Sequence, residues 1–249
     1  MPPETANWLP SRTGKLLQSA ARAGAECLGD DFVAAVLVGN AMHAERADRA
    51  RRPEMLLVAR QLPPDVVGSL ATALRSSTAA GIRPRLVTVD ELRRSADVFA
   101  LELAEWKTRH WLIAGEDPFG DIHIEPAHLR HALEFQLRGL GRRLRNRVFL
   151  GLAGNPGEAG RAVFDALDTI SISAHHTLVC LQQKAPLTDT HAVRALGEAA
   201  DLDVAAVLAI YERTRGAGSV PDVASALDTL LPFIENLTRI VDGIEESSS

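Results

Sequence analysis

Residues 36–59 read VLVGNAMHAERADRARRPEMLLVA, two short apolar runs separated by a polar connection. The first run ends at Gly39 and Asn40, and the second begins at Met55. Apolar runs of about four to eight residues, bounded by Gly, Pro and polar residues, are typical of buried β-strands. The stretch therefore predicts two strands joined by a long connection that begins with glycine and is long enough to hold a nucleotide.

Helix-like and strand-like segments alternate around this stretch, from about residue 12 to residue 122. An apolar helical face over residues 16–27 precedes the first strand, and a helical segment over residues 62–80 follows the second. Third and fourth strands are predicted over residues 85–89 and 111–114. The alternation predicts an α/β (α+β) domain with a mixed sheet over residues 1–122.

The second half of the chain has a helical pattern throughout. Apolar residues recur every three or four positions after Pro126, at Leu129, Leu133, Leu137, Leu140, Leu144 and Val148. This spacing places them on one face of a long helix. Further helical segments follow as far as about residue 245. The pattern predicts an all-α helical bundle domain over residues 123–249.

Composition narrows the possible partners and the compartment. The 249 residues carry a formal net charge of -5, which argues against a protein that coats nucleic acid with a wholly basic surface, so nucleic acid is not an expected partner. Cys27 and Cys180 are the two cysteines, too few for a disulfide framework or a Cys-based zinc site. The sequence contains neither the roughly eighteen-residue apolar run of a membrane helix nor an apolar signal core at its N-terminus. We expect a soluble, cytoplasmic protein with no membrane partner.

The order of the predicted elements resembles the nucleotidyltransferase superfamily, which includes kanamycin nucleotidyltransferase and the polymerase beta-like enzymes. The shared order is helix, strand ending in Gly plus a small polar residue, polar loop, second strand, helix and third strand. The segment 97–145, which begins DVFALELAEWK, is similar to bacterial nucleotidyltransferase-like proteins in which a helical domain follows the catalytic one. Together these similarities cover residues from about 14 to 245.

The resemblance implies a specific metal chemistry. In the family pattern, Gly-Ser at the end of the first strand lets the backbone approach a nucleoside triphosphate. Two carboxylates one residue apart at the start of the second strand, with a third from a neighbouring strand, hold two magnesium ions. The ions balance the charge that develops on the phosphates. An active member would therefore need Mg²⁺ and a nucleoside triphosphate.

The residues of this chain depart from that pattern. Gly39 and Asn40 occupy the Gly-Ser place and are the predicted nucleotide-binding residues. Alignment of residues 56–58 with the family's second strand puts Pro53 and Met55 at the two carboxylate places. Neither side chain is a ligand for a hard cation. The sequence therefore predicts no catalytic residues, no metal site and no cofactor, and a catalytically degenerate protein with a nucleotide- or partner-binding regulatory role.

An active enzyme remains as an alternative. Glu54 is the nearest acid, but strand alternation places its side chain on the face opposite to Met55. A slip of one residue would bring Glu54 to the active face and turn the apolar residues of the strand to solvent. Asp90, after the third strand, or the loop acids Glu45 and Asp48 would then complete the site. In this alternative the chain is a Mg-dependent nucleotidyltransferase that acts on a small molecule or a protein.

The helical half offers a second alternative, an interaction or structural protein. Arg130, Arg138, Arg142 and Arg145 form a basic stripe beside the leucine stripe of the long helix. This stripe is open to several interpretations: contact with nucleotide phosphates, with RNA or with an acidic partner, or a solvated face on which Arg and Glu pair. The helical half is thus predicted to provide the surface for a homodimer or a protein partner.

Overall fold

In the computed structural model, residues 9, 11–42, 53–214 and 222–244 are described. The chain divides into two units, Met1–Glu125 and Pro126–Ser249. Four strands are present in the described part of the first unit: β1 (Phe32–Val38), β2 (Glu54–Ala59), β3 (Arg83–Thr88) and β4 (Trp111–Gly115). Its helices are α1 (Ser11–Leu28), α2 (Pro64–Ala73), α3 (Arg75–Ala79), α4 (Val89–Arg94) and α5 (Ala100–Thr108). The helices of the second unit are α6 (Pro126–Gly154), α7 (Pro156–Cys180), α8 (Asp189–Ala200), α9 (Ala205–Thr214) and α10 (Val223–Gly243).

The sheet is mixed and has the strand order β3-β2-β1-β4. Strand β1 lies antiparallel to both β2 and β4, whereas β2 and β3 are parallel. A parallel pair needs a crossover connection, which α2 and α3 provide here. The mixed sheet followed by helices confirms the predicted α/β (α+β) class with a helical second half.

Both faces of the sheet are covered. On one face Leu37, Met55 and Leu57 pack in a cluster that includes Leu17 of α1 and Leu70 of α2. On the other face the alternate strand residues pack against helices α4 and α5, in a cluster with Val36, Val38, Leu56, Val58, Leu92, Leu103 and Trp106. A sheet buried on both faces has continuous apolar strands, without the polar alternation of a half-exposed sheet. This is why the runs in residues 32–38 and 55–59 are apolar throughout.

The second unit is built around α6 and α7. The leucine and valine stripe predicted on the long helix is buried along α6, from Leu129 to Val148. Arg147 of α6 joins the two helices through ion pairs with Glu158 and Asp165 of α7, at 2.5 and 2.6 Å. The hydrogen bond from Arg147 lowers the pKa of Glu158. Within the residues that the structure describes, no helix is long and apolar enough to cross a membrane.

We predict that Gly115→Ala destabilises the protein by about 2–4 kcal/mol, because the new methyl group meets backbone that cannot move aside. Gly115 has a φ of +87°, and a Cβ there would lie 2.1 Å from the Val33 carbonyl oxygen and 2.8 Å from the Ala34 Cα. Urea unfolding measures the loss. The matched control is Gly120→Ala, where a Cβ meets nothing within 4 Å. Equal losses in the two variants would refute the close approach of β1 and β4.

Candidate functional site

Three strand ends meet where the long connection leaves β1 and returns as β2. Val38, the last residue of β1, pairs with Glu54, the first residue of β2. Arg83, the first residue of β3, is level with Glu54 on the other side of β2. The residues around this edge of the sheet form the candidate site.

Gly39 follows β1 directly and faces the Glu54 carboxylate. Its φ is +74°, a conformation that favours glycine, and it begins a short 3₁₀ segment, Gly39–Met42. A Cβ on Gly39 would have the Glu54 Oε2 as its neighbour at 3.8 Å. The backbone of Asn40 belongs to the same segment, and its side chain lies outside the described part of the chain. The first predicted nucleotide-binding residue therefore borders a carboxylate.

Two arginines of β3 hold the carboxylate of Glu54. Arg83 Nη1 donates a hydrogen bond to Glu54 Oε1 at 3.1 Å, and Arg85 Nη1 lies 3.6 Å from Glu54 Oε2. The Glu54 side chain is 27% exposed, so these pairs are partly shielded from water. Both negative oxygens of Glu54 thus have a positive neighbour.

Arg85 connects Glu54 to helix α5. The same Nη1 atom donates to Glu102 Oε1 at 2.6 Å, and the guanidinium carbon lies 4.8 Å from the Trp106 ring centroid. A guanidinium over an indole face is stabilised by a cation–π interaction. Burial lowers the pKa of Arg85, but the hydrogen bond and charge of Glu102, with the charge of Glu54, outweigh this and raise its pKa. Arg85 therefore stays positively charged between two carboxylates.

The arrangement does not fit a magnesium site. Glu54 and Glu102 supply two negative charges, and Arg83 and Arg85 supply two positive charges, so the cluster is neutral. A magnesium ion needs oxygen ligands that are not already bound to a cation. In the parts of the chain that the structure describes, no three His, Cys, Asp or Glu side chains are close enough to hold a metal ion.

The two residues aligned with the family's carboxylates have structural roles. Met55 is fully buried in the cluster against α1, on the opposite face of β2 from Glu54, as strand alternation predicts. A carboxylate at position 55 would lie in an apolar core. Pro53 precedes β2, and its carbonyl oxygen accepts the Arg83 N–H at 2.8 Å. Neither side chain supplies an oxygen ligand for a metal ion.

The structure does not bring together Glu54 and Asp90, the two acids of the predicted alternative site. Glu54 is level with the first residue of β3, whereas Thr88 at the other end of β3 is level with Ala59. Five residues of strand separate the two levels, about 17 Å at roughly 3.3 Å per residue, and Asp90 lies beyond Thr88. Asp90 instead pairs with Arg94 at 3.0 Å. The loop acids Glu45 and Asp48 lie outside the described residues.

A solved structure identifies the fold. Spectinomycin adenyltransferase AAD(9) from Enterococcus faecialis, solved with ATP and spectinomycin, matches with a TM-score of 0.57 at 11% identity. The match covers 92% of this chain and 98% of that chain. The chain has a nucleotidyltransferase-like fold. At this identity the match shows the fold alone.

A second solved structure matches less well. The nucleotidyltransferase-like protein from Exiguobacterium sibiricum 255-15 matches at a TM-score of 0.35 and 13% identity, over 91% of this chain and 77% of that chain. No protein-family model matches the sequence. No curated protein matches it either. The match to spectinomycin adenyltransferase confirms the predicted resemblance to nucleotidyltransferases at the level of the fold.

The sequence reasoning missed four residues at this edge of the nucleotidyltransferase-like sheet: Arg83, Arg85, Glu102 and Trp106. A signal for the first two was present, because residues two apart on a strand share a face. Glu102 and Trp106 are likewise four apart and share a helix face. Two arginines on one face of a strand indicate a place where a carboxylate can be held.

We predict that the ion pair of Arg85 with Glu102 contributes a coupling energy of about 0.5–1 kcal/mol to the free energy of unfolding. The value is small because the two side chains are 38% and 39% exposed, so solvent screens their charges. A double-mutant cycle with Arg85→Met and Glu102→Gln, followed by urea unfolding, measures the coupling. Arg93 and Asp121 provide the control cycle, since that pair is longer, at 3.3 Å, and more exposed. A coupling no larger than the control value would contradict the central position of Arg85.

Proposed function

We propose that this chain is a catalytically degenerate protein of nucleotidyltransferase-like fold that binds a nucleotide without metal-dependent transfer, in a regulatory role. The observation that supports the proposal is the pair of arginines on Glu54. Arg83 and Arg85 both pair with the Glu54 carboxylate, which lies beside Gly39 at the start of β2. The positive charge at this edge is thus supplied by the protein itself.

The chemistry of the cluster disfavours a metal ion. A magnesium ion entering here would compete with Arg83 for Glu54 and with Arg85 for Glu102. It would also be repelled by both guanidinium groups, since like charges a few ångströms apart interact unfavourably. Magnesium moreover demands near-octahedral oxygen coordination, which two engaged carboxylates do not offer.

The same arginines suit a phosphate. A guanidinium presents several N–H donors in a planar fork that matches phosphate oxygens. The Arg83 side chain is 67% exposed and uses one of its donors on Glu54, so other donors remain for a ligand. A nucleotide is the proposed ligand because the solved spectinomycin adenyltransferase of the same fold contains ATP. A protein that binds a nucleotide and leaves it intact can report its concentration to a partner.

We predict that the protein binds ATP with the same affinity, within about twofold, in EDTA and in excess magnesium, because arginine and not a metal ion faces the phosphates. Isothermal titration calorimetry under the two conditions measures this. A release assay for pyrophosphate, run in parallel with magnesium present, is expected to show no turnover.

Variants at the two ends of β3 locate the binding. Arg83→Gln is expected to weaken ATP binding by about ten- to a hundredfold, since a charge-assisted hydrogen bond contributes about 1.5–3 kcal/mol. Arg94→Gln removes an 81% exposed side chain at the end of α4, the helix that follows the far end of β3, and it is expected to have no effect. Equal weakening by the two variants would place the nucleotide elsewhere.

Other outcomes select the alternatives. Tighter ATP binding with magnesium, together with pyrophosphate release that Glu54→Gln abolishes, would establish an active nucleotidyltransferase. Absence of ATP binding under both conditions would reject the nucleotide and leave an interaction protein that acts through its helical unit.

A further inference from the structure

Helix α6 has a second, outward face on which large apolar side chains are exposed. Phe135 and Phe149 are 80% and 71% exposed, and Leu150 and Leu152 beside Phe149 are 64% and 63% exposed. The chain has seven phenylalanines, and two of them are solvent-exposed on this one helix. Phe149, Leu150 and Leu152 lie close together, and exposed apolar side chains grouped in this way are typical of an interaction site.

The exposed residues follow a seven-residue spacing. Phe135, Arg142 and Phe149 are seven apart, which is close to two helical turns, so they lie in one line along the helix. The two phenylalanines are fourteen residues apart, about 21 Å at about 1.5 Å per residue. A neighbouring line contains Arg145 and Leu152, again seven apart. The second line is offset from the first by three residues. Two lines with this offset have the spacing of the a and d positions at which two packed helices contact each other.

This outward face is distinct from the face that packs within the helical unit. The buried stripe of α6 runs from Leu129 to Val148 and packs against α7 and α10. Phe135 lies two positions after buried Leu133, about 200° around the helix at about 100° per residue. The exposed phenylalanines therefore lie on the side of α6 away from its buried stripe.

The surface between the two phenylalanines is positively charged. Arg142 and Arg145 are exposed, and neither has a carboxylate within ion-pair distance among the described residues. Arg138, by contrast, donates to Glu134 and Asp242 at 2.7 and 2.8 Å. The unbalanced positive charge is local, because the whole chain has a net charge of -5. We call Phe135, Arg142, Arg145, Phe149 and Leu152 the outer α6 face.

We propose that the outer α6 face binds an amphipathic helix of a partner protein, one with apolar residues at heptad spacing and glutamate or aspartate beside them. The apolar spacing suits a helix, and the positive charge suits acidic neighbours. A second copy of this chain fits poorly. Antiparallel pairing that places Phe135 on the second copy's Phe149 also places Arg142 against Arg142. This inference concerns the helical unit and does not depend on nucleotide binding at the sheet edge.

A designed peptide tests the surface. The probe is a fluorescent 21-residue helix with leucine at two positions of each heptad and glutamate at the flanking positions. The comparison peptide carries lysine at every glutamate position. With the full-length protein, fluorescence anisotropy is expected to show binding of the acidic peptide at about 10–100 μM and at least about tenfold weaker binding of the lysine peptide. Added salt is expected to weaken the acidic peptide's binding.

Variants assign the binding to this face. Phe135→Ala with Phe149→Ala is expected to weaken binding about tenfold or more, and Arg142→Glu with Arg145→Glu by a similar factor. Phe99→Ala, at a 54% exposed phenylalanine of the first unit, is the matched apolar control. Arg194→Glu, at an exposed residue of α8, is the matched charge control. The controls are expected to bind within about twofold of the parent protein, and circular dichroism verifies that each variant is folded.

Several results would overturn the proposal. One is no binding of the acidic peptide at about 1 mM, and another is equal binding of the lysine peptide. Sedimentation that shows a dimer abolished by Phe149→Ala would assign the face to a second copy. Tighter binding of an oligo-thymidine strand that depends on Arg142 and not on Phe149 would assign it to nucleic acid. Peptide binding by the Arg83→Gln variant is expected to be unchanged, which separates this test from that of the nucleotide site.

Discussion

The antiparallel pairing of β1 with β2 is the constraint on which the candidate site depends. Its register puts Val38 beside Glu54, and so brings the start of β2 back to the residue that precedes Gly39. A slip of one residue would exchange the faces of Glu54 and Met55. It would then bury a carboxylate against α1 and expose a methionine at the strand edge. The apolar clusters on the two faces therefore determine the register of β2, and with it the position of the Glu54 carboxylate.

The charges at this edge are arranged in alternation. Arg83, Glu54, Arg85 and Glu102 follow one another, so that Glu54 has two cationic neighbours and Arg85 two anionic ones. Partly buried charges are tolerated when each is paired. A site of this kind is organised before any ligand arrives. Its first and most exposed member, Arg83, is the group through which an incoming anion would meet it.

Much of the fold could be predicted from local patterns. The short apolar runs predict the strands, and the leucine stripe after Pro126 predicts α6, because both signals involve residues close in sequence. The pair of Arg85 with Glu102 joins strand β3 to helix α5. No local pattern encodes which face of α5 meets the sheet. Strand alternation places Glu54 opposite to Met55, but burial on both faces removes the polar pattern that would have shown which helices each face meets. The distance between Asp90 and Glu54 depends on the parallel register of β3 with β2. Register is a long-range property that local sequence propensity does not determine.

Strand β3 lies at one end of the sheet order, and β2 is its neighbour there. A strand in that position presents backbone groups on which a strand from another molecule can add. β3 begins with Arg83, Pro84 and Arg85, a proline without an N–H between two charged side chains. Proline and charge on an end strand are the features by which native sheets resist such addition. The arginines that hold Glu54 thus also oppose intermolecular sheet growth and aggregation at this end of the sheet.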